Sequence, residues 1–148
     1  MEKRNLPGIS GIEYSFANLL YPDTQELIRE GSVIRAIGDF EKIPIYGLAS
    51  CVVTSEIVNG QTIYNTTVKF KMIDKKQKTR ELIDKITMNP CSFRISDVYK
   101  EKYLIGIDKK PHPVFLPSYK IDELPSGLRV FEAQITYINL FSILQLKD

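Results

Sequence analysis

The sequence predicts a mainly β protein, a β-sandwich or barrel-like single domain over residues 1–148 with one α-helix in mid-chain. Three observations carry this. Several runs alternate apolar and polar residues with the period of a half-buried strand. An Asn59-Gly60 pair sits between two long β-branched runs, the strongest short-range hairpin signal. Only one stretch, roughly 75–88, sets apolar residues on a helical stripe.

Residues 1–11 hold Pro7, Gly8 and Gly11 with almost no periodicity, so they read as a flexible N-terminal arm. Alternation then begins: Ile12, Tyr14 and Phe16 point one way while Glu13, Ser15 and Ala17 point the other. From Pro22 to Gly31, Asp23 with Glu26 three residues on and a stopping Gly31 suggest a short helix or helical turn. Ser32 to Gly38 resumes as a strand.

The Asn59-Gly60 turn fixes a register that the side chains can check, because a slip of one residue would turn every side chain to the other face. One face pairs Ile57 with Thr62, Ser55 with Tyr64, Val53 with Thr66, Cys51 with Val68 and Ala49 with Phe70, and is mostly apolar. The other pairs Glu56 with Ile63, Thr54 with Asn65, Val52 with Thr67, Ser50 with Lys69 and Leu48 with Lys71, and is mostly polar. Strands this long exceed the usual ~5–6 residues, so the tip is expected to project beyond the core.

From Asp74 onward the chain turns lysine-rich and then helical, with Leu82, Ile83 and Ile86 on one stripe. Asn89-Pro90 stops the helix, since the residue before proline is pushed out of helical dihedrals. Cys91–Val98 and Lys102–Ile107 read as a second hairpin around Tyr99-Lys100-Glu101. Pro111, Pro113 and Pro117 restrict the next stretch to an edge strand at most, through Val114-Phe115-Leu116. Leu128–Ile138 alternates again, with Phe131, Ala133, Ile135 and Tyr137 on one side. The run Leu140–Leu144 is a final strand or a packed terminus.

Composition bounds the chemistry. With 43% apolar and 26% charged residues the chain can bury a core of its own, which excludes disorder and fibrous repeats. Twenty basic residues stand against 18 acidic ones, a net charge of +2 that lacks the concentrated excess typical of nucleic-acid or membrane-surface proteins. No apolar run approaches the ~20 residues that cross a bilayer, and no apolar segment follows the charged N-terminus, so a soluble protein made in the cytoplasm is expected. Cys51 and Cys91, each in an apolar strand-like setting, read as free buried thiols. Asn65-Thr66-Thr67 fits the glycosylation pattern, which matters only for a secreted chain.

His112, the only histidine, lies between prolines, so a Ser-His-Asp set or a multi-histidine metal site lacks parts. Asp97, Asp108, Asp122 and Glu123 sit near predicted turns, where carboxylates hydrogen-bond their own backbone. The glycines come singly, without a phosphate-cradling loop. No enzyme is indicated: no catalytic, cofactor-binding or metal-binding residue is assigned. Basic and aromatic residues interleave at Lys69-Phe70-Lys71, Phe93-Arg94 and Lys102-Tyr103. On a small barrel this would make a stacking surface for single-stranded nucleic acid, so an OB-like binding module is the alternative reading. A small hydrolase with a carboxylate pair is a third.

The order of an N-terminal arm, a long hairpin, one amphipathic helix and long alternating C-terminal strands resembles in layout the tail-tube and tail-tube-like structural proteins of tailed bacteriophages. Lys102-Tyr103-Leu104-Ile105-Gly106, Pro113-Val114-Phe115 and Arg129–Thr136 are locally similar to small virion proteins of phages and prophages of gut Bacteroidetes. The resemblance implies a homo-oligomeric ring subunit of the virion, assembled in the host cytoplasm beside neighbouring virion proteins, without cofactor or membrane contact. It implies non-specific passage of DNA through the lumen. Its assembly contacts would come from the hairpin, through Thr54, Glu56, Ile57, Val58, Gln61, Ile63 and Asn65, and from the arm, through Leu6 and Ile9. Lys69 and Lys71 on the same face depart from the acidic or neutral lumens of that family, which makes a connector or tail-completion subunit a variant of the same reading.

Overall fold

A computed structural model describes residues 2–5, 8–16, 33–34, 39–106, 110–140 and 144–146. Among the described residues the chain is mainly β with one helix, as its alternation predicts. The strands are β1 (Glu2–Asn5), β2 (Ile9–Phe16), β3 (Val33–Ile34), β4 (Glu41–Ile43), β5 (Ile45–Val58) and β6 (Gln61–Ile73). Helix α1 (Gln77–Met88) follows, then β7 (Cys91–Asp97), β8 (Lys102–Ile105), β9 (Val114–Glu123), β10 (Arg129–Asn139) and β11 (Leu144–Leu146). The expected helix or turn over 22–31 lies outside the described residues, as does most of the expected 32–38 strand.

The strands form one sheet in the order β3-β11-β8-β7-β2-β5-β6-β10-β9, with β1 also on β5 and β4 on β2. Every pairing is antiparallel except that of β11 with β3. The path has two ends and does not close, so the arrangement is sandwich-like rather than a barrel. One half, β5-β6-β10-β9, lays Cys51, Val53, Val68, Phe70, Met72, Ala133, Ile135 and Tyr137 against Ile12, Tyr14, Phe93, Ile95 and Ile105 of the other half. Phe115 on β9 joins the two, its ring 6.1 Å from Phe70 and 6.4 Å from Phe93.

The hairpin turns where predicted. Asn59 and Gly60 both take positive φ, 51° and 80°, and the ladder runs from Val58–Gln61 to Ser50–Lys69 in the expected register. Below that it departs: Lys71 pairs with Tyr46 rather than Leu48, and Ala49 leaves its expected partner Phe70. Gly47 at φ +71° opens a bulge that no sequence pattern announced, and there β5 hands one edge to β2 through Ala49–Ile9.

The expected arm is corrected. Residues 2–5 pair along β5 from Ser55 to Val52, and Ile9 is fully buried in the core as the first residue of β2. Strand β1 and the first residue of β2 therefore both lie along β5 instead of forming a flexible arm over 1–11. Strand β9 is an edge, as the prolines require, yet it runs to Glu123. Pro117 stands opposite Ala133, where β10 meets a register shift.

Helix α1 starts behind Asp74, whose carboxylate accepts the Lys76 amide at 3.0 Å, and Thr79, whose hydroxyl accepts the Lys75 amide at 2.7 Å. It ends at an extended Asn89 before Pro90. Ile86 is buried and Leu82 and Ile83 pack partly against the core, as their stripe predicts. The β7–β8 hairpin forms, its turn held by the buried Asp97, which accepts the amides of Tyr99 and Glu101 at 2.9 Å. Asp97 therefore does the backbone work expected of a turn carboxylate. Both cysteines are buried, and neither forms a disulfide.

Candidate assembly surface

Beyond Val53 and Thr66 the hairpin loses its cover. Val53 is 4% exposed and Thr66 1%, while Ile57, two rows on along the same face, is 77% exposed. The β5–β6 ladder continues in register, while its flanking strands end, β1 opposite Ser55 and β10 opposite Tyr64, and the facing half of the sandwich stops. Seven predicted contact residues lie on this distal stretch. Thr54–Asn65, Glu56–Ile63 and Val58–Gln61 pair in register on the outer face, and Ile57 points from the core-side face. Glu56, Val58 and Gln61 are exposed, while Thr54, Ile63 and Asn65 are half-buried. The arm residues do not join them. Ile9 is in the core, where its apolar side chain is fully covered, and Leu6 lies outside the described residues.

The outer face is wider than the hairpin. In register with Thr67 and Lys69, β10 presents Thr136 and Gln134, and β9 adds Val114 and Leu116 beside them. Ile138 stands beside Asn65, and Glu132 beside Lys71, which in turn adjoins Tyr46. Tyr46, Val58, Val114, Leu116 and Ile138 are each between 39% and 52% exposed, so one continuous sheet face carries apolar side chains between hydroxyls and charges. Alternation in β9 and β10 marks these residues as outward, but only the strand order brings them next to the hairpin.

Two hollows mark this face. A groove of about 360 Å³ runs along the hairpin between Ser50, Val52, Thr54, Asn65, Thr67 and Lys69. A wider depression of about 790 Å³ crosses Tyr46, Lys69, Lys71, Leu116 and Glu132, above the bulges of β5 and β9. Asn65 has its amide oxygen shielded from solvent without a hydrogen-bond partner. A third cleft of about 480 Å³ lies between α1 and β9–β10, beside the Arg129–Asp74 pair at 3.8 Å.

Elsewhere, polar chemistry serves the fold. Arg94 grips Glu13 through two hydrogen bonds of 2.6 and 3.2 Å and lies 4.4 Å from the Phe40 ring centre. Burial pushes the Cys91 thiol up to about 11, away from the thiolate that a nucleophile needs. His112 is half-buried and its Nδ1 has no hydrogen-bond partner. Among the described residues no three His, Cys, Asp or Glu side chains gather as a metal site, and no helix is long and apolar enough to cross a membrane. Asp108 and the side chains of Asp122 and Glu123 lie outside the described residues. Comparison with known proteins returns no matching family, no matching curated sequence and no matching solved structure.

Proposed function

We propose that this chain is a self-assembling structural subunit of a virion or phage tail, of the tail-tube, connector or tail-completion type, and that its partners are further copies of itself and neighbouring virion proteins. The observation that carries this reading is the hairpin that outruns its own core. The β5–β6 ladder runs unbroken from Ser50–Lys69 to its turn, and its end presents Ile57 and Val58 to solvent. Exposed apolar strand ends are a liability unless a partner covers them. Among the described residues the sheet also ends in an edge at β9. The outer face of the sheet carries hydroxyls and charges of both signs suited to a neighbour's polar rim.

Size-exclusion chromatography with light scattering, followed by negative-stain imaging for rings, tests the reading. The wild-type chain should elute well above its 17.0 kDa and show closed particles. Ile57→Lys combined with Ile63→Lys should keep the β-sheet circular dichroism and lower the mass. A wild-type protein that stays monomeric at high concentration, with no rings or tubes beside its natural neighbours, would sink the proposal. Binding to single-stranded DNA would then be the next measurement.

A further inference from the structure

The outer face of the hairpin half is self-complementary about the Val52–Thr67 row, and we infer that two copies pack there face to face around a two-fold axis lying across the strands. This rests on the self-assembly reading and names one of its contacts. Rows of outward residues repeat every ~7 Å along a strand. Taking Val52, Thr67, Thr136 and Val114 as the central row, the next row in one direction is Ser50, Lys69, Gln134 and Leu116, and in the other Thr54, Asn65 and Ile138. The rows beyond are Tyr46, Lys71 and Glu132 at one end and Glu56 and Ile63 at the other.

An axis through the central row lays each strand antiparallel over its own copy and exchanges these rows pairwise. Asn65 then comes over Lys69 of the second copy, and Ser50 over Thr54. Ile138 comes over the Gln134–Leu116 row, apolar against apolar at Leu116. Glu56 comes over Tyr46, with Lys71 of the second copy on the adjacent strand within reach of its carboxylate. Each contact occurs twice, so opposite charges are met at both ends. Side chains across two packed sheet faces fill a layer ~10 Å thick, and the groove between Ser50, Thr54, Asn65 and Lys69 lies at its middle. A two-fold contact closes at two copies, so ring growth needs the hairpin tip as a second contact.

Glu56 and Lys71 are both exposed, so reversing their charges spares the core. Glu56→Lys alone and Lys71→Glu alone should each weaken self-association by about tenfold or more, since each sets like charges against each other twice. Mixing the two variants should restore it, because each then offers the other the opposite charge at both contacts; the double variant should associate with itself. Mass by light scattering reads this, with circular dichroism to show that each variant is folded, and Glu56→Gln and Lys71→Gln provide milder forms if a reversal unfolds the chain. A wild-type monomer overturns this contact and the self-assembly reading together. A wild-type oligomer that ignores both reversals, or single variants that dissociate and are not rescued by mixing, overturns the two-fold contact and leaves self-assembly standing.

Discussion

The root and the tip of the β5–β6 hairpin share one ladder and, from Ser50–Lys69 to the turn, one register and one alternation, yet they live in different solvents. At the root, Cys51, Val53, Val68 and Met72 are 1%, 4%, 0% and 0% exposed; at the tip, Ile57 on the same face is 77% exposed. Backbone pairing thins toward the tip, because β10 follows β6 only as far as Tyr64 and β1 follows β5 only as far as Ser55, so the last rows are two-stranded. For the side chains, what changes is whether a second layer faces them. Burial of apolar surface stabilises the root, whereas the tip is held by cross-strand pairing and by the Asn59-Gly60 turn alone. The difference separates residues kept for the fold from residues free to serve a partner.

The comparison breaks most sharply if a charge is tolerated at the root. Val68→Asp places a carboxylate where no water and no cation can reach it, and should cost about 4 kcal/mol or more, a large part of a small domain's stability. Thr62→Asp, on the same face at the tip, should change stability by less than about 0.5 kcal/mol. Chemical denaturation of both reads the contrast; equal effects would show that the tip is covered within the monomer.

The boundary between the two regions can be titrated. Tyr137 pairs with Thr66 in the last buried row, and burial pushes its phenol up to about 12 despite an opposing hydrogen bond from Asn139. Because the folded value lies above the ordinary 10.0, the neutral phenol's contribution is fully present below pH 10 and is lost as pH rises toward 12. Burial of the Cys91 thiol acts in the same sense from its ordinary 9.0 up to about 11. Thermal unfolding of wild type should therefore fall off above pH 9. Tyr137→Phe should remove on the order of 2 kcal/mol of the loss that falls above pH 10. Parallel curves for the two proteins would show that the phenol reaches water at the boundary.

These predictions also mark how far the sequence could be read. Local signals were sufficient where the chain decides locally: Asn59-Gly60 set the turn and register from Ser50 to Val58, Asn89-Pro90 ended α1, and Tyr99-Lys100-Glu101 turned β7 into β8. The same alternation placed Phe131, Ala133, Ile135 and Tyr137 inward on β10. Signals failed where a distant strand decides. The bulge at Gly47 exists because β5 exchanges neighbours with β2, and Ile9 is buried because β7 and β5 flank it; neither partner can be inferred from the residues around position 9 or 47. The predicted hairpin contacts came out together for the same local reason. Their outer-face neighbours Val114, Leu116 and Ile138 were hidden in strand order.

Gly47 offers a smaller effect that separates ladder geometry from burial. An added Cβ there meets nothing within 4 Å, so Gly47→Ala is penalised only by its φ of +71°. The expected cost is about 1 kcal/mol, or a few degrees in melting temperature. No change would mean that the bulge relaxes to ordinary pairing, and that the root register is set by packing rather than by this residue.

The smallest expected effect on stability is at Ile57, and it is the most informative about the tip. Substituting Ser removes an apolar side chain that is already in water, so the monomer should lose no more than about 0.5 kcal/mol. If Ile57 is a contact between subunits, the same change removes apolar area that would be buried on association, and truncation of a well-buried interface side chain can cost more than 1 kcal/mol of binding. Stability measured at low concentration and association measured at high concentration should therefore separate: unchanged unfolding, weakened assembly. A melting temperature lowered by several degrees in dilute monomer would show that Ile57 is packed within its own chain. Unchanged assembly would move the tip contact to the outward Val58 and Ile63 on the opposite face of the hairpin.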